Sequence, residues 1–172
     1  MTPGEMPRIV RLRHADGETV TIEADPDERV ALAKRFDVVA VNSLRARVSL
    51  EREGDEVAVD GRIEADLIQT CGISGEDFPV RIEEPVTIRF VPEVARSVPD
   101  EEIELEESQL DEIEYSGDSF DLGEAIAQTL GLAIDPYAEG PNADAARRKA
   151  GIVSDEEPSG PLADALRKLQ GE

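Results

Sequence analysis

The chain of 172 residues carries 18 basic and 40 acidic side chains, which gives a formal charge of −22 and a sequence pI near 4.3. That length suits one domain with tails; 40% hydrophobic residues is too many for a wholly disordered chain, and 34% charged residues is too many for every segment to pack. No apolar run approaches the roughly 20 residues of a membrane span, and Met1–His14 lacks the apolar stretch of a signal peptide, so a cytoplasmic protein with no membrane partner is expected.

The residue inventory removes whole chemistries. Cys71 and His14 are the single cysteine and histidine, so neither an intrachain disulfide nor a four-ligand Cys/His zinc site can form. No G-x-x-x-x-G-K-[ST], G-x-G-x-x-G or G-x-S-x-G motif occurs. Without a nucleophile–base pair, a phosphate loop or a metal cluster, the expectation is a non-enzymatic protein with no cofactor. The charge is unevenly spread. Residues 1–52 hold nine bases and nine acids, so the whole −22 lies beyond them, most densely in Asp100–Glu124 with 12 acids and no base.

The first elements read as strands. Val10 and Leu12 alternate with Arg11 and Arg13, and Val20 and Ile22 alternate with Thr19, Thr21 and Glu23. His14–Glu18 supplies a turn between them, which predicts a hairpin over 8–23. Asp25 as N-cap, Pro26 at the first helical position and Glu28 three residues after the cap predict a helix over 26–36. Leu44, Ala46, Val48 and Leu50, then Val57, Val59, Gly61, Ile63, Ala65 and Leu67, predict a long antiparallel hairpin turning at Glu53–Glu56. Val80, Ile82, Val86, Ile88 and Phe90 share one face of a further strand, and Glu84-Pro85 within it predicts a bulge or an edge position.

Residues 92–118 read as an acidic connection with room for a short strand at Ile103 and Leu105. Asp121 as N-cap, Glu124 at the capping-box position and Leu122, Ile126, Leu130 and Ile134 at helical spacing predict a helix over 121–134, stopped by Asp135-Pro136. Beyond Tyr137 the chain is linker-like until Leu162, Leu166 and Leu169, one side of a short terminal helix. The fold expected is α+β. A single domain over about 5–137 would hold a twisted antiparallel sheet (partly open barrel or sandwich-like) and the two helices, and residues 138–172 would form a mobile acidic C-terminal tail.

Three segments together carry a family resemblance. Gln69-Thr70-Cys71 through Phe78-Pro79, with Glu84-Pro85 and Arg89-Phe90-Val91-Pro92, resembles the central part of the YceD family, the large ribosomal RNA subunit accumulation proteins. Asp121-Leu122-Gly123-Glu124 with Leu132–Tyr137, including Asp135, Pro136 and Tyr137, resembles the family's most recognisable stretch. Thr21–Pro26 and the following helix are similar to the N-terminal part of alphaproteobacterial-type members. The resemblance implies a bacterial, non-catalytic role in ribosome biogenesis, in support of large-subunit ribosomal RNA accumulation. Many members carry C-x-x-C at the Cys71 position, a zinc-like signature; here the second position is Ser74, so zinc is not carried over.

Each singled-out feature has a plainer reading beside the functional one. Cys71 is a redox or metal residue, or simply a small buried hydrophobe. Arg11, Arg13, Arg45 and Arg47 lie on the polar parity of predicted strands; they form one cationic patch for RNA phosphate or a solvated sheet face balanced by acids. The acidic run is a solvated connection or a cover for a basic ribosomal protein. Net charge favours a large-subunit ribosomal protein, or a precursor particle, as partner over naked RNA, and direct RNA binding through residues 8–52 is the alternative.

Overall fold

The longest predicted hairpin is also the centre of the structure, a computed structural model that describes residues 4–93 and 112–152. Strand β3 (Ala40–Glu53) pairs antiparallel with β4 (Glu56–Thr70) from Glu53↔Glu56 onward, around a two-residue turn whose Gly54 has φ +65°. Their alternating Leu44, Ala46, Val48, Leu50, Val57, Val59, Ile63, Ala65 and Leu67 are all buried. The register shifts between Val41 and Ser43; this bulge lets Val41 and Leu44 both face inward despite their odd spacing.

Around that hairpin, β2 (Thr19–Glu23) pairs antiparallel with β3, and β5 (Asp77–Pro92) follows β4. Strand β6 (Glu112–Tyr115) pairs in parallel with Arg89–Pro92, giving an open five-stranded order β2-β3-β4-β5-β6. The fold is therefore α+β with a mostly antiparallel, unclosed sheet. Burial alternates through β5 without a slip, and Pro85 lies outside the stretch paired with β6, so its missing N–H leaves no gap in that ladder. Ile103 and Leu105, and the helix expected near Leu162–Leu169, lie outside the described residues.

The hairpin expected over 8–23 does not form. Strand β1 (Ile9–Arg11) pairs instead with β7 (Ser119–Asp121) in a separate two-stranded ladder. Leu12–His14 leave the extended conformation for a single 3-10 turn, and Leu12 N–H bonds Asp118 O at 2.9 Å. Alternation reports which face a strand buries, not which neighbour it meets, and β7 lies more than a hundred residues away in sequence.

Helix α1 (Pro26–Arg35) starts with the full capping box between Asp25 and Glu28. Helix α2 (Leu122–Ala133) is capped by Asp121, whose Oδ1 accepts the Glu124 N–H at 3.1 Å and the Arg8 N–H at 2.9 Å. Glu124 does not complete a capping box. Its carboxylate takes two bonds from Arg35, both 2.8 Å, while Arg35 also reaches Glu5 at 2.6 Å. Arg8 in turn binds Glu28 through both guanidinium nitrogens at 2.6 and 2.9 Å. A Cβ on Gly123 would stand 1.9 Å from Met6 O, so only glycine admits the chain at Met6–Arg8 beside α2. Leu122, Ile126 and Leu130 are buried together with Leu32, Met6 and the hairpin residues, and Phe90 stacks on Phe120 at 4.1 Å.

By contacts the chain divides into two compact units, Met1–Gln69 with Pro79–Pro136, and Thr70–Phe78 with Tyr137–Glu172. In the second, helix α3 (Ala143–Lys149) forms where the sequence reads as linker, because its apolar residues are only alanines and show no stripe. Asn142 Nδ2 donates to Glu76 at 2.6 Å, and Arg147 binds Asp144 and Glu139.

Two outcomes follow from this packing. Gly61→Ala places a Cβ 2.1 Å from Arg47 O and 2.7 Å from Val48 Cα, both backbone atoms that cannot turn away, and is expected to cost about 3 kcal/mol in urea unfolding. Arg35 holds the Glu124 carboxyl below its ordinary 4.5. A carboxyl lowered on folding stabilises the fold fully above its unfolded value and loses that contribution as pH falls through its folded value. Glu124→Gln is therefore expected to cost about 1–2 kcal/mol at pH 7, with the gap to the wild type closing as both are titrated below pH 4.5.

Candidate functional site

The outer face of β2, β3 and β4 is laid out in rows by the strand register. One row is Glu23–Arg45–Glu64, the next Thr21–Arg47–Arg62, the next Thr19–Ser49–Asp60. All nine side chains are exposed. In the first row the cation is balanced: Arg45 Nε lies 2.9 Å from Glu23. The middle row differs. Arg47 and Arg62 are directly opposite each other, and neither has a carboxylate partner among the described residues. Thr21, Arg45, Arg47, Gly61, Arg62 and Glu64 line a depression of about 400 Å³ there.

Arg11 and Arg13 do not join this ladder, since β1 pairs with β7 while β2 covers that side of β3. They line a second depression, of about 610 Å³, together with Arg8, His14 and residues of β2. Thr21 borders both depressions. The four predicted arginines thus fall into two pairs on either side of Thr21, Arg11 and Arg13 by one and Arg45 and Arg47 by the other. Arg62 is the member the sequence reading omits. Its signal was present: counting back from the Gly54-Asp55 turn sets Arg62 opposite Arg47, yet its flanking Asp60 and Glu64 disguise it as part of a mixed-charge strand.

The family-motif residues serve mainly to hold the chain. Asp121 caps α2 and fixes Arg8, Leu122 is fully buried, Gly123 admits Met6, and Glu124 clasps Arg35. Asp135 O accepts a bond from Gln69 Nε2 at 3.0 Å, and Pro136 ends the first unit. Tyr137 is 83% exposed.

In the second unit, residues 71–76 close a tight turn through Cys71 N–H to Glu76 O and Gly75 N–H to Cys71 O, both 2.9 Å. Cys71 is buried, and its Sγ accepts the Ser74 N–H at 3.3 Å. Bonds from the Ser74 hydroxyl, and from the Ser74 and Gly140 backbone, lower the thiol to about 7 against the opposing effect of burial. One thiol with a hydroxyl beside it is not a zinc donor set, and among the described residues no group of three His, Cys, Asp or Glu stands close enough to hold a metal ion. Among the same residues no helix is long and apolar enough to cross a membrane.

No curated protein and no solved structure matches the chain. A family model described as "Large ribosomal RNA subunit accumulation protein YceD" matches residues 59–170, about two thirds of the chain. The match takes in Arg62, the Cys71 turn, the Asp121–Glu124 junction and Asp135-Pro136-Tyr137, and begins after Arg11, Arg13, Arg45 and Arg47. With that coverage the chain belongs to the YceD family and has a role in accumulation of large-subunit ribosomal RNA.

Proposed function

We propose that this protein supports large-subunit ribosomal RNA accumulation in the cytoplasm as a non-catalytic binding partner of a basic large-subunit component, a ribosomal protein rather than naked RNA. The observation that carries the reading is the charge. A formal −22, all of it beyond residue 52, gives a field that attracts a basic protein and repels a polyanion at long range.

A surface of the right chemistry accompanies that charge in the first unit. A cleft of about 930 Å³ is floored by Ile9, Phe90, Ile113 and Phe120 and edged by Glu5, Glu93, Asp121 and Glu124. Ile9 is 64% exposed there. An apolar floor with an acidic rim suits a basic segment that carries an aliphatic anchor. Arg35 is the one cation of the rim among the described residues; Glu5 and Glu124 are engaged by it and Asp121 by the α2 cap, so Glu93 is the rim carboxylate offered to a basic segment.

Capture of the tagged full chain from its native cells, with and without RNase, tests the reading. Large-subunit proteins are expected to co-purify and to persist after RNase treatment. Recovery of neither those proteins nor their RNA sinks it, and recovery of RNA alone replaces the protein partner.

A further inference from the structure

We infer that the Thr21–Arg47–Arg62 row is a contact site for the phosphodiester backbone of RNA. The inference rests on the reading above only in taking large-subunit precursor RNA as the polyanion within reach.

The argument starts from a cost. Like charges directly opposite on paired strands oppose folding, and Arg47 and Arg62 are held in that arrangement by a ladder running unbroken from Glu53↔Glu56 to Ser43↔Asp66. Elsewhere on the described surface the arginines near carboxylates use them. Arg81 reaches Glu64, Asp66 and Glu83, and Arg89 reaches Glu56. Carboxylates are close to the row too, yet Glu23 is taken by Arg45 and Glu64 faces Arg81. That leaves two arginines and one threonine at neighbouring register positions across three strands whose backbones lie about 4.8 Å apart.

An anion between the two arginines would turn their repulsion into attraction, and guanidinium forks with a hydroxyl are the side chains that meet phosphate oxygens. No aromatic residue lines the depression, so bases have nothing to stack on, and the contact is to backbone rather than sequence. Gly61, required for close approach of β4 to β3, lines the same depression without a side chain of its own. The net −22 slows the approach of a polyanion, and the row acts on the polyanion that does arrive, at contact, where Coulomb attraction to its two cations is strongest.

The test is fluorescence anisotropy with a labelled hairpin transcribed from large-subunit ribosomal RNA, between 50 and 200 mM salt, using the full chain. Arg47→Glu and Arg62→Glu are each expected to weaken binding about tenfold or more and to lower the slope of log affinity against log salt by about 1. Arg47→Lys keeps most of the binding, and Arg148→Glu, the same charge change on α3, leaves it within about twofold. Either glutamate variant creates an opposite-charge pair, so its melting temperature should hold or rise by about 1–3 °C, which separates lost contact from lost fold. Absence of wild-type binding at 50 mM salt, or equal binding by the glutamate variants, overturns the inference. In the capture experiment the glutamate variants should still recover large-subunit proteins; loss of wild-type capture with RNA binding intact would defeat the protein-partner reading alone.

Discussion

The architecture depends on one crowded junction where three distant parts of the chain meet. Met6–Arg8 passes so close to α2 that position 123 has no room for a side chain. The same few residues then complete both helix starts. The Arg8 N–H shares Asp121 with the first turn of α2, and the Arg8 guanidinium grips Glu28 of the α1 capping box. Arg35, at the other end of α1, closes the assembly on Glu124 and Glu5. Each of these charges is about one quarter to one third exposed or less, so the pairs are less screened than ordinary surface ion pairs. The junction places β1 next to β7, which takes β1 away from β2 and leaves the outer face of the main sheet to β2, β3 and β4.

That division of labour separates the family's recognisable residues from the surfaces proposed to bind. Asp121, Leu122, Gly123 and Glu124 are needed to bring α2, α1 and the N-terminal segment together, and Gln69 ties the Asp135 carbonyl to the end of β4. A motif of this kind marks a fold, and a partner is met by side chains that the fold leaves available. Those proposed to meet a partner are Arg47 and Arg62 on the main sheet, and Ile9 with Glu93 at the cleft beside β1.

The two surfaces have opposite signs, which a precursor particle of protein and RNA can satisfy at once. In the proposed functions, the net negative charge draws a basic partner in, and the arginine row acts where an anion touches it. Cys71 stands apart from both. Its thiol is held low by Ser74 and by backbone N–H groups, and it is buried in a tight turn that its own backbone N–H and carbonyl close.

The sequence by itself determined the local elements. The Asp25–Glu28 box, the Asp121 cap and the aliphatic alternation through Leu44–Leu50 and Val57–Leu67 each act within a few residues, and each element stands where its pattern placed it. The Arg47–Arg62 pair was within reach as well, since a two-residue turn sets the register of everything that follows it. Tertiary structure decided what depends on distant partners. Val10 is paired with Phe120 rather than with β2, Glu124 is turned from its own helix cap to Arg35, Phe90 stacks on Phe120 in a largely aliphatic core, and α3 forms from alanines. The physical reason is common to all four. Periodicity and capping are short-range and leave a trace in the sequence, whereas the choice among partners of equal chemistry is made by packing, which has no sequence period.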